Sequence, residues 1–385
     1  MDYFSSDFKL GILGGGQLGK MLLYETRKFD IYSKVMDSSE EAPCKIACNE
    51  FVKGSLMDFD AVYNFGKGVD VLTIEIENVN VEALEKLEDE GIKVYPPTKA
   101  LRTIQNKATQ KLFYIDHEIP MANFNRFAYT SEIEDSIANG GLHFPFVWKA
   151  AQFGYDGQGV KVVRKLGDLN GLPNVECIAE SLIPFKNELA VIIARNASGQ
   201  VVSYPVVEME FHPEANQVEY VICPARIDKK VAEKAIEVAL KVSSTIKHVG
   251  LLAVEMFQTQ DDKILVNEVA PRPHNSGHYS IEASFTNQFE QHIRAILDLP
   301  LGSTESKMAG IMVNLVGAEG YTGDVVYKNM EEILRLEGVT PHIYGKRETR
   351  PFRKMGHVTI VNQDIAKARE IAQKVKETIE VVSKQ

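Results

Sequence analysis

The stretch Leu251–Ala270, LLAVEMFQTQDDKILVNEVA, governs the reading of the whole chain. Two apolar runs, Leu252–Gln258 and Lys263–Ala270, flank the polar turn Thr259–Asp262, the pattern of an antiparallel hairpin. Paired across that turn, Glu255 faces Val266 and Glu268 is its diagonal neighbour on the same face, roughly 7–8 Å away. The rest of that face, Ala253, Phe257, Ile264, Val266 and Ala270, is small or apolar, and the opposite face is apolar apart from Asn267. Two ionised carboxylates in such surroundings are costly unless neutralised. Oxygen ligands so spaced, joined by Asn267, suit one or two magnesium or manganese ions that also hold a nucleotide's phosphates. A pair of salt-bridged glutamates is the ordinary alternative, but neither strand brings a lysine or arginine onto that face.

Upstream, Lys149 ends an apolar run, and Phe153-Gly154-Tyr155-Asp156-Gly157-Gln158-Gly159 precedes another run starting at Val160. Its glycines let main-chain amides approach anionic oxygens and let the loop open and close, while Lys149 supplies positive charge. Taken singly it is an ordinary flexible hairpin, and only the carboxylate pair makes it a phosphate cover. At the N-terminus, Gly14-x-Gly16-x-x-Gly19 lies between a strand and a helix, with Asp37 at the end of the next strand, as dinucleotide sites require. Its physical content is narrower: amides at a helix N-terminus meet a phosphate or a carboxylate. A nicotinamide-dependent dehydrogenase fits that motif but leaves the paired glutamates and the second glycine loop unexplained.

The 385 residues exceed one ordinary core, so a multi-domain enzyme is expected. A net charge of −10 disfavours nucleic acid and anionic membranes as partners, and no apolar run approaches the roughly 20 residues a bilayer needs. The opening MDYFSSDFKLGILGGG lacks the pattern of a secretory signal, so a cytoplasmic protein with small-molecule partners is expected. Cys44, Cys48, Cys177 and Cys223 have no metal or redox spacing. Residues 1–100 read as a βαβ-type domain with a parallel sheet: runs at Phe8–Leu13, Tyr32–Asp37 and Val69–Ile76, a helix about Val81–Glu90, and a short strand before Pro96-Pro97. One helical stretch, Thr98–Asp116, follows. Residues 101–300 form a second region, with short antiparallel strands over 124–205 as a subdomain and an amphipathic helix at Asp228–Lys247. Residues 301–385 read β, α, β, β, α and end in a helix about Asp364–Val382.

In order along the chain, Lys149, the glycine loop, Glu180-Ser181-Leu182-Ile183, Glu188, Glu255 and Asn267-Glu268 resemble the ATP-grasp ligases. Four segments, GILGGGQLGKML, FGYDGQG, VNEVAPRPHNSGHY and RPFRKMGHV, resemble more narrowly the 5-(carboxyamino)imidazole ribonucleotide synthase family, over nearly the whole chain. The resemblance implies a mixed α/β and α+β ATP-grasp fold, with an N-terminal α/β pre-ATP-grasp domain and a small C-terminal domain. It implies a ligase of purine biosynthesis that uses ATP and bicarbonate, through carboxyphosphate, to carboxylate 5-aminoimidazole ribonucleotide. Carried over residue by residue, Lys107 and Lys149 bind ATP phosphates under the loop 153–159, Glu180–Ile183 read adenine and Glu188 holds ribose. His212 is a nucleotide-side histidine, Asn267 and Glu268 face the ATP, and Glu255 and Glu268 hold the metal. Lys107 stands where many relatives have arginine, which keeps the charge but not the fork. Arg272, His274 and Asn275 approach the terminal phosphate from the substrate side. Tyr155 and Asp156 reach the amine, and Lys346, Arg350, Arg353 and Lys354 suit the ribotide phosphate. Gly16, Gln17, Leu18, Glu75 and Glu77 line the first domain's crevice as substrate contacts. Lys149, Tyr155, Asp156, Arg272 and Lys354 are the candidates for direct catalytic roles. Kinship also implies a homodimer. The rivals are a formate-using glycinamide ribonucleotide ligase, the dehydrogenase, and a nucleotide-binding module without catalysis.

Overall fold

The computed structural model describes residues 2–152, 159–212 and 217–384. The N-terminal unit runs β1 (Lys9–Leu13), α1 (Gln17–Lys28), β2 (Tyr32–Asp37), β3 (Glu50–Lys53), α2 (Phe59–Gly66), β4 (Val71–Ile74), α3 (Val81–Asp89) and β5 (Lys93–Tyr95). Its sheet is parallel throughout, in the order β3-β2-β1-β4-β5. The central strands β1, beyond Lys9, and β4 are buried on both faces because helices cover both. The short β3 and α2 carry too few periodic residues to be read from sequence; α2 starts where the Asp58 side chain accepts from the Ala61 N–H at 2.8 Å.

The stretch read as one helix is two, α4 (Thr98–Gln105) and α5 (Lys107–Asp116). Asn106 is extended between them, and its side chain accepts from the Thr109 N–H at 3.0 Å, capping α5. That restart puts Lys107 in the first turn and Lys111 one turn later on the same face.

A four-stranded antiparallel sheet follows, from β6 (Phe124–Phe127), α6 (Glu132–Ala138), β7 (Phe146–Ala150), β8 (Val160–Val163) and β9 (Cys177–Ser181), in the order β6-β9-β7-β8. It ends sooner than the 124–205 span expected. β10 (Phe185–Arg195) and β11 (Val201–Ser203) instead join a nine-stranded sheet with β12 (Val207–Phe211), β13 (Val218–Cys223), β14 (Gly250–Thr259) and β15 (Ile264–Ala270). The reason is burial: Leu189–Ala194 are at most 3% exposed, and β10 pairs with β14 along its length. Helix α7 (Lys229–Ile246) packs its apolar stripe on these strands. Helices α8 (Ser280–Ala283) and α9 (Gln288–Ile296) follow, and α9 packs against β14 and α1.

The C-terminal stretch adds β16 (Ala309–Val316), β17 (Gly323–Lys328), α10 (Met330–Leu334), β18 (Val339–Ile343), β19 (Glu348–Thr349), β20 (Lys354–Asn362), α11 (Ile365–Thr378) and β21 (Glu380–Ser383). β16, β20 and β18 extend the nine-stranded sheet, so the sheet runs unbroken past residue 300. The last helix stops at Thr378, short of the expected Val382. Buried β-branched residues Ile379 and Val382 carry the chain into β21, which pairs with β17.

Candidate active site

The 251–270 hairpin is closed more tightly than expected, by the Thr259 N–H to Lys263 C=O bond at 2.9 Å, with Asp262 left-handed at φ 62°. Met256 therefore pairs with Val266, and the register slips before Glu255. Asn267 is the extra residue of this β-bulge, and Glu268 stands directly opposite Glu255. The expected pairing of Glu255 with Val266, and the diagonal glutamate pair, are corrected accordingly. Direct opposition brings the Cβ atoms to roughly 4.5–5.5 Å.

A cation and an imidazole do reach this pair, but from other elements. Lys107 Nζ lies 2.7 Å from Glu268 Oε2, and His274 Nε2 lies 3.3 Å from Glu255 Oε1. The Glu268 side chain is 44% exposed, whereas that of Glu255 is 14% exposed. Burial and the facing Glu268 push Glu255 above the usual carboxylate range, while the Lys107 ammonium holds Glu268 below it. Burial alone would lower Lys107, but Glu268 raises it overall.

Beneath the pair lies a second charge network. Glu180 at the end of β9 forms ion pairs with Lys111 at 2.9 Å and Lys149 at 2.8 Å, and the three side chains are 2–9% exposed. Lys149 also donates to Asn267 Oδ1 at 2.9 Å, and Lys111 to the Asn267 carbonyl at 3.3 Å. Burial favours neutral Glu180, but Lys149 and Lys111 hold it ionised, and burial brings Lys111 down to about 8 against the attraction of Glu180. Lys111 is absent from the sequence-derived site, though its spacing from Lys107 was a visible signal. Glu188 on β10 sits opposite Phe257 and Met209; burial raises it to about 7, opposed by Lys149 and reinforced by Glu268. Ser181 donates its N–H to the Asn123 carbonyl at 2.8 Å, leading into exposed Leu182 and half-buried Ile183. Gly159 has φ 77°, and its carbonyl accepts from the Ala150 N–H at 2.9 Å. Phe153, Gly154, Tyr155, Asp156, Gly157 and Gln158 lie outside the described residues. His212, at the end of β12, has its ring 6.0 Å from that of Phe352.

The first glycine loop binds carboxylates of its own chain. Gly16 and Gly19 donate to the two oxygens of Glu75 at 2.8 and 2.9 Å, and Gly15 donates to Asp37 at 2.8 Å. These bonds occupy the amides and the acid that a dinucleotide would use. Gly14 has φ +101°, and a Cβ there would lie 2.3 Å from Glu75 Cγ. Burial raises Glu75, against the pull of the two amides. Gln17 is half-buried beside the loop, whereas the Leu18 side chain turns into the core, leaving only its main chain for a substrate.

Arg272 Nε lies 2.9 Å from Glu77 Oε2, and Asn275 and Asn314 exchange two amide bonds of 3.0 Å. In the basic segment, Lys346 donates to the Lys354 carbonyl at 2.7 Å, and Arg353 to that of Glu348 at 2.6 Å. Lys354 acts electrostatically on Glu255, while Arg350 is exposed.

Family models match three consecutive stretches: a ribonucleotide synthetase preATP-grasp domain over residues 8–105, an ATP-grasp domain over 112–289, and a phosphoribosylaminoimidazole carboxylase C-terminal domain over 310–371. The N5-carboxyaminoimidazole ribonucleotide synthase of Bacillus subtilis (strain 168) is 36% identical over 360 residues, 92% of this chain and 91% of that protein. The crystal structure of N5-carboxyaminoimidazole ribonucleotide synthetase from Thermotoga maritima superposes with a TM-score of 0.88 at 41% identity, covering 98% of this chain and 100% of that one. The Aspergillus clavatus synthase, crystallised with ADP and 5-aminoimidazole ribonucleotide, gives a TM-score of 0.88 at 34% identity, over 97% of this chain and 98% of its own. Longer relatives named phosphoribosylaminoimidazole carboxylase are matched over 63–67% of their length.

Proposed function

The chain belongs to the N5-carboxyaminoimidazole ribonucleotide synthase family of ATP-grasp ligases, and from that premise we propose how its own residues carboxylate 5-aminoimidazole ribonucleotide with ATP and bicarbonate. The observation that carries the reading is the directly opposed pair Glu255 and Glu268, with ammonium groups on one side and His274 on the other. Among the described residues, no group of three or more histidine, cysteine, aspartate or glutamate side chains could hold a metal by itself. Two carboxylates with the Asn267 oxygen fit magnesium or manganese only if phosphate oxygens complete the shell, as nucleotide-bound ions require. Such an ion would neutralise charge on the transferred phosphoryl group.

Lys107 and Lys149 rest on Glu268 and Glu180, from which they turn to phosphate oxygens when ATP enters. Glu180–Ile183 read the adenine, Glu188 accepts from the ribose, and His212 borders the nucleotide. Bicarbonate oxygen attacks the γ-phosphorus as the bond to ADP breaks, giving carboxyphosphate. The exocyclic amine then bonds to its carbonyl carbon, the C–O bond to phosphate breaks and the amine releases a proton. Arg272, His274 and Asn275 approach the terminal phosphate from the substrate side, and Tyr155 and Asp156 serve the amine. Lys346, Arg350, Arg353 and Lys354 hold the ribotide phosphate, and Glu75 with the main chain of Gly16–Leu18 lines the imidazole side. Magnesium dependence, a homodimer in solution and a cytoplasmic location complete the proposal; no described helix is long and apolar enough to cross a membrane.

The test is ADP release from ATP, magnesium and bicarbonate with and without 5-aminoimidazole ribonucleotide, using glycinamide ribonucleotide plus formate as the control. Stimulation by the aminoimidazole alone is expected. Stimulation by the control alone would move the substrate within the ATP-grasp ligases, and silence with both would overturn the reading.

A further inference from the structure

The segment that carries Arg272, His274 and Asn275 is held through its main chain by one buried side chain. Gln288 is the first residue of α9 and is fully buried. Asn287 fixes that first turn by accepting from the Phe289 and Glu290 N–H groups, both at 2.9 Å, and Ser280 Oγ accepts the N–H of Gln288 itself at 3.0 Å. The side chain then has one direction open to it. Gln288 Oε1 accepts the His274 N–H at 2.9 Å, and Nε2 donates to the His274 carbonyl at 2.8 Å. His274 is extended, with φ −134° and ψ 154°, so its N–H and C=O project to the same side and one planar amide takes both, as a neighbouring strand would. Nε2 also lies 2.9 Å from Nδ1 of His278.

The surrounding sequence makes room for this clasp. A Cβ on Gly277 would lie 2.4 Å from Gln288 Oε1 and 2.4 Å from Ile192 Cδ1, so only glycine lets the amide approach. Pro271 and Pro273 restrict the chain on either side of Arg272. With the main chain fixed at His274, its ring reaches both Ser276 Oγ at 2.9 Å and Glu255 Oε1 at 3.3 Å. The neighbouring Asn275 is placed against Asn314.

We infer that Gln288 is a positioning residue for the aminoimidazole side of the reaction, setting the Arg272–Asn275 segment through the main chain of His274; this rests on the substrate role proposed for that segment. In Gln288→Leu, the KM for 5-aminoimidazole ribonucleotide should rise about 10- to 100-fold while the KM for ATP stays unchanged, since misplacing an orienting group by about 1 Å costs that much. Hydrogen exchange of the His274 amide should become faster in the same variant. Should Gln288→Leu not fold, Gln288→Glu keeps the acceptor for the His274 N–H but, once ionised at alkaline pH, has no donor for its carbonyl, and should there shift both readouts in the same direction. An unchanged aminoimidazole KM, a parallel rise in the KM for ATP, or unchanged exchange at His274 would overturn the inference. The exchange measurement needs no turnover, so it separates failure of this role from failure of the functional reading, which shows as wild-type ADP release indifferent to the aminoimidazole.

Discussion

Replacing Glu255 by Gln should abolish magnesium-dependent turnover and yet make the unliganded protein more stable. The bulge at Asn267 sets Glu255 directly against Glu268, and taking the Cβ spacing of about 5 Å as the charge separation, with an effective dielectric of about 20, gives an upper bound of about 3 kcal/mol for their repulsion. Lys107, bound to Glu268 at 2.7 Å, offsets part of that, and the substitution also forfeits the contact of Glu255 with His274. A net gain of about 1–2 kcal/mol remains. The gain must depend on pH, because burial and Glu268 raise the folded-state pKa of Glu255. Below the ordinary carboxylate range both states hold the proton and the variant gains nothing. As pH rises, the unfolded chain releases that proton first, so wild-type stability falls until Glu255 ionises in the folded state. Urea unfolding of wild type and Glu255→Gln across that range, without nucleotide, reads the difference directly. An equal gain at acidic and alkaline pH, or no gain at all, would refute the carboxylate opposition. Glu268→Gln is the contrasting variant: it too loses turnover, but it strands Lys107 and should not be stabilised.

Three further outcomes follow from neighbouring contacts. Glu188 is raised to about 7, so if its ionised form accepts from the ribose, the KM for ATP should fall as pH rises through about 7, and Glu188→Gln should flatten that dependence. Lys111→Met leaves Glu180 facing Lys149 alone and should cost about 3 kcal/mol by urea unfolding, the low end for breaking a buried pair, together with a higher KM for ATP. Gly14→Ala meets both a positive φ and Glu75, and should destabilise by about 2–3 kcal/mol; Gly91→Ala, at φ +92° with nothing within 4 Å, isolates the backbone cost of about 1 kcal/mol.

Periodicity made the parallel βαβ opening and the strands around the glycine loop legible, because each buries a regular set of apolar residues. What escaped was set by single residues or by contacts between distant segments. Asn106 breaks a continuous helical pattern by taking an extended conformation and capping α5, and no periodicity registers one such residue. Asn267 shifts the hairpin register by one, and that shift alone separates a diagonal pair of glutamates from a facing one. The spacing Gly14-x-Gly16-x-x-Gly19 announced an anion correctly, but its source, Glu75, lies on another strand. Lys107 and His274 likewise reach the hairpin from outside it, which is why the two strands alone show no partner for either carboxylate.

Those partners also balance the carboxylates of the site from within the chain. Glu268 is paired with Lys107, Glu180 with Lys111 and Lys149, and Glu255 is left with the weaker contact to His274 and a raised pKa. Proton uptake by Glu255 is thus the residual way to relieve the site, and an arriving cation would do the same work by displacing that proton. Lys111 is the most enclosed of the three lysines, 2% exposed against 9% for Lys149 and 17% for Lys107, with Glu180 and the Asn267 carbonyl both within its reach. In the proposed reaction it would therefore keep Glu180 neutralised while Lys149 and Lys107 turned to phosphate oxygens. A site that hands two ammonium groups to a nucleotide without baring a buried carboxylate needs one cation that stays, and the helix restart at Asn106 is what places Lys111 there.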